Sequence, residues 1–494
     1  MTSATARVSR DAVFVDITGR VQVQRMALVA VVMVAALVYA NALANGFVLD
    51  DGAVVRTNAM VTEPGGVWRV FALPYWPEWA KGGQYRPLAI LSFKLDWLIS
   101  GGTPMWFHAV NVLWHVAATI LTWKLASELL SPASALVTGL VFAVHPVHVE
   151  AVANVVGRLE CMAAVFVLAA MLAHHNRSRL APLWFALSLL SKESAIVFIA
   201  LAAAHDLLLT TDWRAALRVR KWWYAAYGGI IAAFAIVLFL VFHARSLTFP
   251  ARGFTGTDTL DRLSLVTKIV PHYVRLLLAP AELSAVYGPN VIAADPAISL
   301  SSLVGVAVLI VLGIAIVVTA YRRRWPEMAF ALAWVPIALS PTSNVLFPSV
   351  WLAERTLYLP SVGACLALGL VAERFWLSRP RAVAIATAAV LLAFAIRTYT
   401  RTPVWRDDRT FLITLLRDHP ESYEAHAAAA RILKAAARFA EAENEFAIAR
   451  RLFPRDPLVY RDAADLAHRQ GKAAMAAALL DSARFAPTFP LRPR

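Results

Sequence analysis

Apolar residues run in long stretches from residue 26 to residue 398, separated by short polar turns; after about residue 418 they fall at the spacing of amphipathic helices. A helix needs roughly 20 predominantly apolar residues to cross a bilayer. By that measure the pattern predicts about eleven spans, several of them short. They run from Arg25 to Ala44, then over 107–127, 133–147, 159–174, 181–192, 194–210, 222–243, 298–320, 325–341, 358–376 and 381–398. Residues 262–280 are interrupted by Lys268, His272 and Arg275, with Pro271 midway, so an interfacial or re-entrant helix is expected there. The first run ends in Ala42-Leu43-Ala44, a sequence like a signal-peptidase site. Its length and the spans that follow favour an uncleaved anchor.

The tail has its own period. His419-Pro420 and Phe453-Pro454 lie 34 residues apart, as do Ala449 and Ala483, and Pro487 follows Pro454 by 33. Residues 425–437 and 439–452 read as two amphipathic helices, echoed at 459–469 and 472–484, which is the tetratricopeptide signature. Two such units are marginal alone, so the tail is expected to lean on the apolar domain. The domains expected are a cytoplasmic segment at 1–25, a transmembrane domain at 26–398 with long outside loops at 45–105 and 244–297, a linker at 399–417, and repeats at 418–494. The fold class expected is all-α.

Composition agrees with the pattern. Hydrophobic residues make up 59% of the chain and charged ones 16%, against about a quarter in soluble domains. A single water-soluble core cannot hide that much apolar surface. The net charge of +15 raises nucleic acid as a partner until the basic residues are located. Lys and Arg concentrate in alternate loops: Arg7, Arg10 and Arg20 before the first span, Arg177 and Arg179, then Arg214, Arg218, Arg220 and Lys221, then Arg322, Arg323 and Arg324, then Arg374, Arg379 and Arg381. Such loops stay cytoplasmic, so the charge is topological and no nucleic-acid partner is expected. The C-terminal repeats then lie outside. Ala- and Arg-rich composition suggests a bacterium, and hence its inner membrane. Cys161 and Cys365 fall within apolar runs, so no disulfide framework is expected. Trp68, Trp76 and Trp79 with Tyr75 suit short helices at headgroup level.

Ionisable residues near a bilayer are costly, so their placement is informative. The unusual ones gather at outside turns: Asp50 and Asp51 after the first span, Arg86 beside Tyr85, His108 and His115, then His145, His148 and Glu150, Arg158 and Glu160, Lys192 and Glu193, and Glu354 and Arg355 with Tyr358. Asp50-Asp51 could act as a general base, or could be a solvated turn or helix cap. Arg86, Arg158, Lys192 and Arg355 could neutralise a phosphate, or could pair with Glu150, Glu160, Glu193 and Glu354. His145, His148 and Glu150 have the spacing of metal ligands, but hydrogen-bonded histidines are the favoured reading and no metal site is assigned. Basic groups, acids and aromatics converging on one side of a membrane would fit a substrate with an anionic phosphate and a lipid tail.

With these residues in view, the chain resembles the transmembrane and tetratricopeptide-repeat-containing (TMTC) O-mannosyltransferases of the GT-C superfamily. The matching stretches are Asn45-Gly46-Phe47-Val48-Leu49-Asp50-Asp51, Tyr85-Arg86-Pro87-Leu88, Phe107-His108-Ala109-Val110-Asn111, Phe142-Ala143-Val144-His145-Pro146-Val147-His148-Val149-Glu150, Gly157-Arg158, Ser191-Lys192-Glu193 and Glu354-Arg355-Thr356-Leu357-Tyr358-Leu359-Pro360. The resemblance implies inverting transfer of a monosaccharide, mannose by preference, from a polyprenyl-phosphate donor to a hydroxyl, such as protein Ser or Thr, on the extracytoplasmic side. It implies Asp50 or Asp51 as base, with Asp50 slightly favoured, and Arg86, Arg158, Lys192 and Arg355 on the donor phosphate. His145, His148, Glu150, Glu160, Glu193, Glu354, Tyr85 and Tyr358 would shape the site. No cofactor is assigned beyond the lipid-linked donor, and a divalent metal is not favoured. Partners would be that donor, a protein or peptide acceptor, and a protein held by the repeats. The alternatives are a membrane scaffold working through its repeats, or a lipid-linked sugar transporter; the paired broken helices of an inverted-repeat transporter are not evident.

Overall fold

The computed structural model describes residues 22–77, 84–242, 259–292, 298–321, 325–345, 350–376 and 378–485. Arg7, Arg10, Arg20, Trp79, Arg322, Arg323, Arg324 and Pro487, with residues 243–258 and 293–297 of the second long loop, lie outside the described residues. The described chain is helical, with one isolated bridge between Tyr287 and Leu352.

The main helices are α1 (Gln22–Ala44), α2 (Pro87–Ser100), α3 (Pro104–Leu129), α4 (Pro132–Val144), α5 (Arg158–His175), α6 (Ala181–Ser191), α7 (Phe198–Leu209), α8 (Lys221–Phe242), α9 (Thr259–Leu278), α10 (Leu300–Tyr321), α11 (Pro326–Leu339), α12 (Pro360–Trp376) and α13 (Pro380–Arg401). The tail adds α14 (Asp408–Asp418), α15 (Tyr423–Ala435), α16 (Phe439–Leu452), α17 (Pro457–Arg469) and α18 (Ala473–Phe485). Proline opens α2, α3, α4, α11, α13 and α17, where the missing N–H has no helical partner in any case.

Among the described residues, six helices are long and apolar enough to span: α1, α3, α5 with its lead-in turn from Val155, α8, α10 and α13 continued to Trp405. A seventh results if α4 and the segment Pro146–Ala153 are one span bent by 46°. The bend follows from His145-Pro146: a residue before proline is pushed out of the helical region, and His145 sits at φ −65°, ψ 121°. Its ring nitrogen Nδ1 accepts the Val147 N–H released there. The other predicted stretches form α6, α7, α11 and α12, helices of 11 to 17 residues. α9 is one continuous helix through Pro271, and it is not among the helices apolar enough to cross.

α5 is the centre of the bundle, with 83% of its span buried, whereas α8, α10 and α13 are each only 6% buried. Ile236, Phe239, Val311, Ile314, Ile385 and Leu392 stay exposed along these three outer helices. A contiguous apolar exterior of this size is a lipid-facing surface, so the protein is multi-pass. Close helix crossings rely on small residues: a Cβ on Gly363 of α12 would lie 2.5 Å from the Ala331 carbonyl and 2.8 Å from Trp334 on α11.

The tail forms two helix pairs, α15 with α16 and α17 with α18. Tyr423 stacks on Phe453 at 4.7 Å, and Ala427, Phe446, Ala463 and Leu466 fill the space between helices. The same apolar cluster takes in Leu265 and Ile269 of α9 and Trp351, Leu352 and Leu357 ahead of α12. The tail therefore shares a core with the bundle. Asn290 donates to the Leu452 carbonyl (3.1 Å), and Arg401 pairs with Asp418 (3.0 Å), fastening the junction.

Candidate functional site

The acidic pair sits where the chain leaves α1. Asn45 donates from its amide to the Thr402 carbonyl (3.2 Å), the Gly46 N–H bonds the Arg406 carbonyl (2.7 Å), and the Leu49 N–H bonds Asp408 (3.2 Å). Pinned in this way to the segment that runs from α13 into α14, Leu49 adopts φ 52°, a left-handed conformation that costs a non-glycine residue roughly 1–2 kcal/mol. The turn sends the two aspartates in different directions. Asp51 is fully buried, accepting from the Val48 N–H (3.0 Å) and the Val156 N–H (2.9 Å). Asp50 is half-buried.

Burial raises the Asp51 carboxyl from 3.8 to about 7, against the lowering effect of the Val48 and Val156 N–H groups. A folded-state value above the unfolded one favours the protonated form on folding. Stability is then greatest below pH 3.8 and falls as pH rises towards about 7. In detergent, the melting temperature should decline across that window, and Asp51→Asn should flatten the decline.

The basic residues fall into two groups. Arg86 makes a forked pair with Glu193 (Nε to Oε2 2.9 Å, Nη2 to Oε1 2.5 Å) and lies over the Tyr75 ring at 5.1 Å. Lys192 pairs with Glu160. Arg355 donates from its backbone N–H (2.9 Å) and its Nη1 (2.6 Å) to Glu150 while its side chain stays 30% exposed. These pairs share one field: the Asp50 charge acts on Arg355 and on Tyr75, and Arg86, Glu160 and Arg355 act on one another. Burial would raise the Glu193 carboxyl, but the Arg86 charge and its hydrogen bonds, helped by Lys192, hold it down at about 2.

Arg158 is placed differently. It is wholly buried: its Nε donates to Asn111 (2.6 Å), Nη1 to Ser92 (2.7 Å) and to Asp96, and Nη2 to the Phe107 carbonyl (2.8 Å), over the Phe93 ring at 4.9 Å. Each of its three guanidinium nitrogens donates inside the protein, so Arg158 holds α2, α3 and α5 together. Asn111 extends the same network to the carbonyls of Val152 (3.2 Å), Asn154 (2.9 Å) and Val155 (3.3 Å).

The histidines also face inward. His145 bonds the Leu277 carbonyl (3.0 Å), His148 bonds Ser361 (2.7 Å), His115 bonds the Tyr358 hydroxyl (2.8 Å) and the Ala143 carbonyl (3.0 Å), and His108 bonds the Gly46 carbonyl (3.1 Å). His145 and His148 are fully buried, and Glu150 accepts from Arg355. Tyr358 is fully buried beside His115, and the Tyr85 hydroxyl donates to the Phe71 carbonyl (2.8 Å). Glu354 is buried too, accepting from the Ser284 N–H (2.5 Å) and the Tyr287 hydroxyl (2.7 Å), which ties the neighbour of Arg355 to the segment that meets the tail. Sequence reading missed Asp96, Ser284 and Tyr287 as partners, since each meets its partner across 60 or more residues of chain.

Fold and site together define a multi-pass membrane protein, helical throughout its described residues, with paired charges gathered near an acidic turn. No family profile matches the chain. Its relatives are the TMTC O-mannosyltransferases. It is 25% identical over 408 residues to a protein O-mannosyl-transferase of Caenorhabditis elegans, covering 78% of this chain and 57% of the relative. It is 26% identical over 427 residues to the protein O-mannosyl-transferase TMTC3 of Homo sapiens, covering 77% and 46%. A shorter match to Tmtc2 of Drosophila melanogaster reaches 39% over 193 residues, or 35% of this chain and 20% of the relative. The chain thus spans about half the length of the curated relatives it matches over most of its own. Among solved structures, the Archaeoglobus fulgidus oligosaccharyltransferase aligns with a TM-score of 0.42 at 16% identity, over 84% of this chain and 58% of that one.

Proposed function

We propose that this protein is an inverting glycosyltransferase of the GT-C type. It moves one monosaccharide, mannose by preference, from a polyprenyl-phosphate donor to a hydroxyl of a protein acceptor on the extracytoplasmic side of a bacterial inner membrane. The observation that carries the reading is the division of labour within the acidic pair: Asp51 is buried on backbone N–H groups, while Asp50 stays half-exposed within the field of Arg355 and Tyr75.

In this reading Asp50 takes the proton of the acceptor hydroxyl as its oxygen bonds the anomeric carbon. The bond from that carbon to the phosphate oxygen breaks, and the phosphate leaves with the electron pair. Arg355, with Arg86 and Lys192 beside it, stabilises the leaving anion. Each already holds a carboxylate in a fixed geometry, so the donors are oriented before substrate arrives. Arg158 acts from beneath by fixing α2 and α5. The polyprenyl chain would lie along the apolar outer helices. The tail, sharing its core with the segment 284–292 that reaches Glu354, would present the acceptor and hold any protein partner. The relatives' name supports the sugar and the acceptor class.

The test uses full-length protein in liposomes containing polyprenyl-phosphate mannose and a Ser/Thr peptide. Wild type should transfer hexose to the peptide, and Arg355→Gln should be about 100-fold slower, with a lower melting temperature as well, because the buried Glu150 loses its cation. Donor binding without turnover by wild type would instead favour a transporter or scaffold.

A further inference from the structure

At the far end of α5 from Arg158, 16 residues on at His174 and so roughly 24 Å away, a second polar cluster is buried. His174 closes α5, His205 and Asp206 lie near the end of α7, and Arg220, Tyr224 and Tyr227 come from the start of α8 and the turn before it. His174 and Asp206 are fully buried and His205 nearly so. His174 Nε2, His205 Nδ1 and an Asp206 oxygen lie within 4.8 Å of one another.

One oxygen, Asp206 Oδ1, is the focus. His174 Nε2 is 3.1 Å from it, His205 Nδ1 is 3.1 Å from it, and Arg220 Nη1 also touches it. Arg220 is always protonated and donates to Oδ1. With the tautomer that puts its proton on the outward nitrogen, each imidazole turns a lone pair towards the same space as Oδ1. A cation between the three atoms would be bonded by both lone pairs and the carboxylate together. Tetrahedral zinc with bonds of about 2.0–2.1 Å sets its ligand atoms roughly 3.3 Å apart, near the 3.1 Å at which each imidazole nitrogen stands from Oδ1.

The outward-facing atoms of the three ligands are held as well. His174 Nδ1 meets the Tyr227 hydroxyl (3.1 Å), His205 Nε2 meets His175 Nδ1 (3.0 Å), and Asp206 Oδ2 accepts from the Tyr224 hydroxyl (2.9 Å). Such outer partners fix the tautomer and orientation of metal-binding side chains. We propose that His174, His205 and Asp206 form a site for one divalent transition-metal ion, zinc by its ligand preference, with the fourth position open. The site lies at the opposite end of α5 from Arg158 and takes no part in the proposed transfer reaction. Arg220 balances the Asp206 carboxylate when the ion is absent and competes with the ion for it.

The test is made on full-length protein in detergent, stripped with a chelator and reloaded with zinc. Elemental analysis should find one zinc per chain, zinc should raise the melting temperature, and cobalt in its place should give the visible absorption of a tetrahedral site. His205→Asn and Asp206→Asn should abolish retention. Tyr227→Phe, which removes only an outer partner, should weaken zinc binding about 10- to 100-fold. Arg220→Gln should tighten it about tenfold, the reverse of what a purely hydrogen-bonded cluster would do when it loses a donor. Wild type that retains no zinc and gains no melting temperature overturns the proposal, as does equal retention by wild type and both ligand variants. Should the ligand variants not fold, the wild-type zinc content and cobalt spectrum decide.

Discussion

Asp50→Asn should lower sugar transfer by about 100- to 10,000-fold, the range for loss of a positioned general base, with no loss of folded protein. Asp50 is half-buried at the crevice, so exchanging one oxygen for an amide leaves the surrounding packing intact. Asp51→Asn should also lower transfer, by another route. Its two oxygens accept from Val48 and Val156, and an amide would aim its NH2 at one of those N–H groups. The turn from Asn45 to Gly52 would then part from the turn Val155–Gly157, and the melting temperature would fall with the activity. Measuring initial rates and melting curves on the same preparations separates the two. Equal stability with full activity for Asp50→Asn would sink the assignment of the base.

Arg158→Met should be the most destabilising single change among the site candidates. Removing one member of a buried ion pair typically costs about 3–5 kcal/mol, because the other charge is left without a partner. Here the orphan would be Asp96, along with Ser92, Asn111 and the Phe107 carbonyl. Even Arg158→Lys should fail to restore the site, since three donors on one nitrogen cannot reach the four partners that the planar guanidinium bridges. A double variant, Arg158→Met with Asp96→Leu, should recover much of the loss, since replacing both members of a buried pair by apolar groups is often close to neutral. Folded yield from membranes and thermal melting would report this. If Arg158→Met instead melts like wild type and loses only transfer, Arg158 belongs with the phosphate ligands.

The contrast between Arg158 and Arg355 marks how far reading the chain could go. Both stand at turns beside glutamates, and the local pattern ranks them equally. Glu160 follows Arg158 by two residues, but it pairs with Lys192, while Arg158 finds Asp96 on α2. Glu354 adjoins Arg355, but it turns to Ser284 and Tyr287, while Arg355 finds Glu150. Sequence neighbours were the wrong partners in both cases, because side chains one or two positions apart on a helical turn point in different directions.

What the sequence determined by itself is what composition and periodicity encode: an all-helical chain, apolar runs that become helices, and paired amphipathic helices in the tail. These follow from local physics, since each helix satisfies its own backbone and exposes its own side chains. Tertiary structure alone decided which charges are structural and which face the crevice, that Asp51 is buried while Asp50 is not, and that His174, His205 and Asp206 meet at the opposite end. Those outcomes depend on contacts between helices far apart in the chain. A buried charge takes whichever partner the packing brings within hydrogen-bond reach, and the spacing of residues along the chain does not record that distance.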